Sequence, residues 1–153
     1  MPGLDRVPDR IAALLRSLPL PEPATTPFVA GGSLADRRVA IVTTAGLYRR
    51  GESGFAPYAT DHRSIPGDVA GAALLLGHLS VNFDRSGFQQ DVNVIFPIER
   101  LDELARAGEI GSVASSHYSL PGGSDPADLM ETIAAIVGQL QRDGVDAVLL
   151  VPV

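Results

Sequence analysis

Apolar residues recur along this chain at two different spacings, and the alternation between them predicts its architecture. In "DRVPDRIAALLRSL" the residues Ile11, Leu14, Leu15 and Leu18 fall at i, i+3, i+4 and i+7, one face of an amphipathic helix. "RRVAIVTTAG" instead holds a short unbroken run, Val39 to Val42, between arginines on one side and Thr43, Thr44 and Gly46 on the other. Such a run predicts a buried, parallel strand. "AALLLGHLSV" is apolar enough for a second central strand, although its Ala and Leu content also permits a helix. Helical spacing returns in "FPIERLDELARAGEI", where Ile98, Leu101, Leu104 and Ala105 share a face. Pro97 suits its first turn and Gly108 the left-handed position past its end. "GSVASSHYSL" reads as a short strand or extended segment. "SDPADLMETIAAIVGQLQRDG" is a second long helix, with Asp125 as N-cap, Pro126 at its first position and Gly144 as its stop. Its apolar stripe is Leu129, Ile133, Ile136, Val137 and Leu140, and the closing "VDAVLLVPV" is another buried strand.

The order strand, long loop, strand, helix, strand, helix, strand predicts an α/β fold: a mostly parallel sheet with flanking helices, Rossmann or flavodoxin-like. Residues 1–36 read as an N-terminal helix with a Pro/Gly-rich connector, and residues 37–153 as the α/β domain. From Leu47 to Asp68 there is no period, only glycines, prolines and charges, so a long loop is expected. Sheets of this kind gather their chemistry outside the carboxyl ends of their strands. Here those ends are "TTAG", "SVNFDRSG", "HYSLPGG" and the stretch at Val153. A last strand with no helix after it leaves one face uncovered, which predicts marginal stability or association.

Composition narrows the functional classes. The formal net charge is -6 and the basic residues are all arginine, scattered among acids, so no footprint for nucleic acid or an anionic membrane is expected. No apolar run approaches a membrane span, and the N-terminus lacks the core of a signal peptide, so a cytoplasmic location is expected. The chain contains no cysteine, which removes disulfides, thiolate metal sites and a Cys nucleophile from these residues. No glycine pattern forms a phosphate loop. His62, His78 and His117 are not at close ligand spacing from one another, and a cluster with Asp61 or Asp84 requires the fold to assemble it, so no metal is expected.

The long block "FDRSGFQQDVNVIFPIERLDELARAGEIGSVASSHYSL", with "RRVAIVTTAGLY", "IPGD" and "DGVDAVLLVPV", resembles the selenoprotein B family of glycine, sarcosine, betaine and D-proline reductases. The likeness runs from about Arg37 to Val153. In that family the strand similar to "VLLVPV" is followed by selenocysteine, two residues and a cysteine. The resemblance implies that this polypeptide is the N-terminal part of such a protein, stopping one residue short of the catalytic position, with no catalytic residue of its own and no reductase activity by itself. It also implies reductive cleavage of the C–N bond beside a carboxylate, a pyruvoyl group on a partner subunit, a small amino-acid or amine substrate and a dithiol reductant. A selenolate at a strand end that opens into a helix is favoured by free N–H groups and the helix dipole.

Within that frame the candidate substrate-binding residues are Thr43, Thr44 and Gly46, then Asp84 and Arg85, then His117 and Tyr118. Arg85 has the planar fork that matches a carboxylate, and it equally serves to fix a turn with Asp84 and Gly87. Thr43 and Thr44 offer hydroxyls to a ligand or to their own backbone. His117 and Tyr118 are either an acid for a leaving amine or an aromatic pair packed under a loop. The competing functions are a non-catalytic α/β module binding a small acid or a partner subunit, and an ordinary flavodoxin-like binding domain.

Overall fold

The computed structural model describes residues 6–17, 29–79 and 85–153. The chain divides into two compact units, residues 1–30 and 31–153. The first carries helix α1, Asp9–Ser17, whose Ile11, Leu14 and Leu15 are exposed. Leu18 and the connector up to residue 28 lie outside the described residues.

In the second unit, strand β1, Arg38–Thr43, is the centre of a five-stranded sheet. On one side it pairs in parallel with β7, Ala147–Val151, from Val39↔Ala147 to Thr43↔Val151. On the other it pairs in parallel with β5, Ser112–Val113, and then with β6, Ser116–Ser119. Beyond β6 the edge strand β3, Arg63–Pro66, runs antiparallel. The α/β class holds, and the sheet is mixed rather than mostly parallel.

Two helices cover the two faces of this sheet. Val39 and Ile41 join the core that includes Ile98 and Leu101 of α3, Ile98–Arg106. Ala40, between them, turns to the opposite core with Ile136 and Leu140 of α4, Met130–Arg142. This is the period of two that a strand buried on both faces requires. Asp125 caps the short 3-10 turn that leads into α4, accepting from the Ala127 N–H, while Gly108 and Gly144 take the left-handed positions beyond α3 and α4.

Four segments depart from the pattern read in the sequence. Among the described residues of "AALLLGHLSV" the one strand is β4, Leu74–Leu76, which pairs antiparallel with β2, Leu47–Arg49, in a separate two-stranded sheet. It is not a central strand, because the Gly77 N–H donates to the Gly46 carbonyl and turns the chain out of the main sheet. The expected loop from Leu47 to Asp68 contains β2 and β3, whose single deeply buried residues, Leu47 and Ile65, are too few to produce a readable alternation. A short helix α2, Ser86–Gln90, follows Arg85. Finally, β7 is not a buried strand: it is a sheet edge, with Val148 41%, Leu149 38% and Leu150 69% exposed.

Candidate functional site

The carboxyl ends of β1, β4, β6 and β7 meet around Thr44–Gly46. Thr44 N–H donates to the Val151 carbonyl, Leu120 N–H to the Thr43 carbonyl, and Gly46 N–H to the Leu120 carbonyl. Gly46 adopts φ +68°, and a Cβ there would stand 3.0 Å from the His78 nitrogen, so only glycine lets the two chains cross this closely.

Val153 is held at this crossing. Its N–H donates to Thr44 Oγ1 at 2.9 Å, and the same hydroxyl donates to the Val153 carbonyl oxygen at 3.4 Å. His78 Nε2 lies 3.3 Å from that oxygen. The His78 ring is buried because it lies against Gly122, where a Cβ would come within 2.2 Å of Nε2. Arg85 Nη2 donates to the His78 carbonyl at 2.7 Å, which places a guanidinium beside the His78–Leu79 peptide group. A depression of about 330 Å³, lined by Pro57, Tyr58, Leu79, Gly122 and Gly123, opens next to this cluster. It is large enough for a small ligand.

The fold therefore brings Thr44, Gly46 and Arg85 together around Val153 and His78. Asp84 lies outside the described residues. The remaining candidates face the interior. Thr43 is buried, donating from Oγ1 to the Ile95 carbonyl at 3.1 Å and accepting from the Ala45 N–H at 3.2 Å. His117 is fully buried, with Nδ1 accepting the Ile41 N–H at 2.9 Å and its ring edge-on to Phe96. Burial pushes its pKa down to about 4, against the pull of Asp102 and Asp143, so the ring is neutral at neutral pH. Tyr118 packs edge-on against His62, and burial, with Asp143 adding, raises its pKa. Among the described residues no group of three or more His, Cys, Asp or Glu side chains is arranged to hold a metal ion. Nor is any helix among them long and apolar enough to cross a membrane.

Sequence reasoning weighed His78 only as a metal ligand and Gly122 only for a phosphate loop, and passed over Tyr58. The roles of His78 and Gly122 come from contacts across more than forty positions of chain, which no local pattern marks.

Comparison with known proteins adds a lineage to this geometry. Residues 18–153 match the family model described as Glycine/sarcosine/betaine reductase selenoprotein B. The D-proline reductase subunit gamma of Acetoanaerobium sticklandii is 34% identical over 134 residues, covering 85% of this chain and 53% of that protein. The betaine reductase complex component B subunit beta of Peptoclostridium acidaminophilum is 29% identical over 97% of this chain and 37% of its own length. The glycine reductase complex component B subunit gamma of Carboxydothermus hydrogenoformans is 26% identical over 98% of this chain and 32% of its own. The chain thus spans about half the length of the first relative and about a third of the other two. No solved structure matches it significantly.

Proposed function

Since the chain belongs to the selenoprotein B family of glycine, sarcosine and betaine reductases, we propose that it is part of a reductase subunit that cleaves the C–N bond beside a carboxylate in a glycine, sarcosine, betaine or D-proline type substrate. The observation that carries this reading is the clasp of Thr44 and His78 on Val153. It fixes Val153, two residues past the end of β7, among the carboxyl ends of three other strands, where sheets of this kind place their chemistry. On this reading the catalytic selenocysteine follows Val153 directly, and a partner subunit carries the pyruvoyl group. The selenium supplies a nucleophile ionised at neutral pH, and the pyruvoyl carbonyl an acceptor for an amine.

The residues present fit such a position. Pro152 is exposed, and Gly122 and Gly123 keep the adjacent wall clear of side chains. Thr44 and His78 orient the strand end. Arg85 binds the substrate carboxylate through its planar fork. The 153 residues alone carry out no reduction, and a cytoplasmic dithiol restores the complete enzyme. In the full subunit the parallel pairs around β1 extend into a flavodoxin-like sheet.

The test begins with the coding sequence after the Val153 codon. An in-frame TGA with a Cys codon three positions on, and dithiol-dependent cleavage of one of the four substrates by the selenium-containing subunit with its partner, support the reading. A different stop codon, or a selenium-loaded complex that cleaves none of the four, overturns it.

A further inference from the structure

Tyr58 occupies a turn position that favours glycine. Ala56, Pro57, Tyr58 and Ala59 close a turn in which the Ala59 N–H donates to the Ala56 carbonyl at 3.1 Å. Pro57 takes the second corner and Tyr58 the third, with φ +58°, the one positive φ outside glycine among the described residues. Turns with proline second and a positive φ third select Gly or Asn there, because a Cβ crowds the neighbouring backbone. The conformation is held from both sides. Ser124 Oγ donates to the Ala59 carbonyl at 2.9 Å, and Thr132 Oγ1 to the Thr60 carbonyl at 2.6 Å. Arg63 bonds the Ser53 and Gly54 carbonyls and lies 4.4 Å over the Phe55 ring.

Packing does not explain the choice of tyrosine, since Tyr58 is 86% exposed. Disfavoured backbone that the surroundings enforce concentrates at functional sites. Tyr58 borders the 330 Å³ depression with Pro57, Leu79, Gly122 and Gly123, and none of these lining residues is charged. Arg85 donates to the carbonyl of the peptide that leads into Leu79, one of the lining residues.

We propose that this depression binds a small ammonium carboxylate, with the ammonium against the Tyr58 ring and the carboxylate toward Arg85. The assignment rests on the reductase reading and names the subsite for its substrates. An aromatic face attracts a cation without needing an N–H to bond, so it serves alkylated and quaternary ammonium groups that a carboxylate partner would hold less selectively. Tyr58 is a specificity residue on this assignment, acting on binding and not on the chemical step.

The test is an NMR titration of the isotope-labelled chain with betaine, and with tert-butylacetate, which replaces the quaternary nitrogen by carbon. Betaine is expected to shift Leu79, Gly122 and Gly123 and to bind about threefold or more tightly than the isostere. Tyr58→Phe should keep that preference. Tyr58→Gly should lose it while the unfolding midpoint stays level or rises. Equal binding of the two compounds, an unchanged preference in Tyr58→Gly, or no shifts at these residues overturns the assignment. No turnover enters the readout, so a complete reductase complex that cleaves none of the four substrates overturns the reductase reading and leaves this result standing.

Discussion

His117 Nδ1 accepts the backbone N–H of Ile41 at 2.9 Å, so that an imidazole from β6 serves as an acceptor in the ladder of the central strand. Val39 pairs with Val113 and Val42 with Tyr118, and residues 114–117 therefore face only residues 40 and 41 of β1. The ring fills the bulge that this mismatch makes. Because Nδ1 accepts, the neutral ring carries its proton on Nε2, which has no hydrogen-bond partner among the described residues.

Stability should fall in acid because of this residue. The folded pKa of about 4 lies below the ordinary 6.5, so between those values the unfolded chain binds the extra proton. The contribution is full above pH 6.5 and is lost as pH drops to about 4, a loss of up to about 3 kcal/mol. Urea unfolding from pH 7 to pH 4 measures it. His117→Phe should remove most of that slope and, by orphaning the Ile41 N–H, lower stability at pH 7 by about 1–3 kcal/mol. An unchanged slope in the variant would show that carboxylates alone cause the acid loss.

Gly122→Ala tests the contact that seats His78. A Cβ at this position would stand 2.2 Å from Nε2, so the ring must leave its place beside Val153. The expected cost is about 1–3 kcal/mol, the range for forcing extra volume into a packed site. The His78 ring resonances should change together with the Val153 amide. If they keep their wild-type positions, the ring does not depend on this glycine.

Much of the fold is legible along the chain, and its limits have physical causes. The run at Val39–Val42 and the stripe holding Ile98 and Leu101 announce β1 and α3, because β1 is buried on both faces along consecutive residues and α3 buries one face at helical spacing. The pattern misleads at β7: Leu149 and Leu150 are as apolar as a central strand, yet among the described residues β7 pairs with β1 alone, and both stay exposed. Of the site, Thr44, Gly46 and Arg85 are found by asking what lies at strand ends. His78 is not found that way. It reaches Val153 from the small two-stranded sheet, and no local pattern encodes that crossing.

The uncovered edge predicts association. Leu150 pairs in register with Val42, on the α4 side of the sheet, and Val148 lies two positions before it. Ile133 and Val137 of α4 are also exposed, 39% and 44%. Exposed apolar residues gathered at a free strand edge favour pairing with another chain. Sedimentation of the 153-residue chain should show concentration-dependent self-association, and Leu150→Asp should weaken it by about tenfold or more. At 69% exposure the substitution should change unfolding free energy by less than about 1 kcal/mol. A wild-type chain that stays monomeric at high concentration would show that this edge is tolerated in water.

On the proposed function, Arg85 offers the sharpest separation of binding from chemistry in the complete subunit with its partner. Its Nη2 is committed to the His78 carbonyl, leaving the rest of the fork for a carboxylate. Lysine keeps the charge and loses the planar, two-pronged geometry. Arg85→Lys should therefore raise KM for the substrate about tenfold, the loss of one charge-assisted hydrogen bond, with kcat nearly unchanged. A fall in kcat at constant KM would place Arg85 in the transition state instead. Unchanged values of both would confine it to bracing the His78–Leu79 peptide.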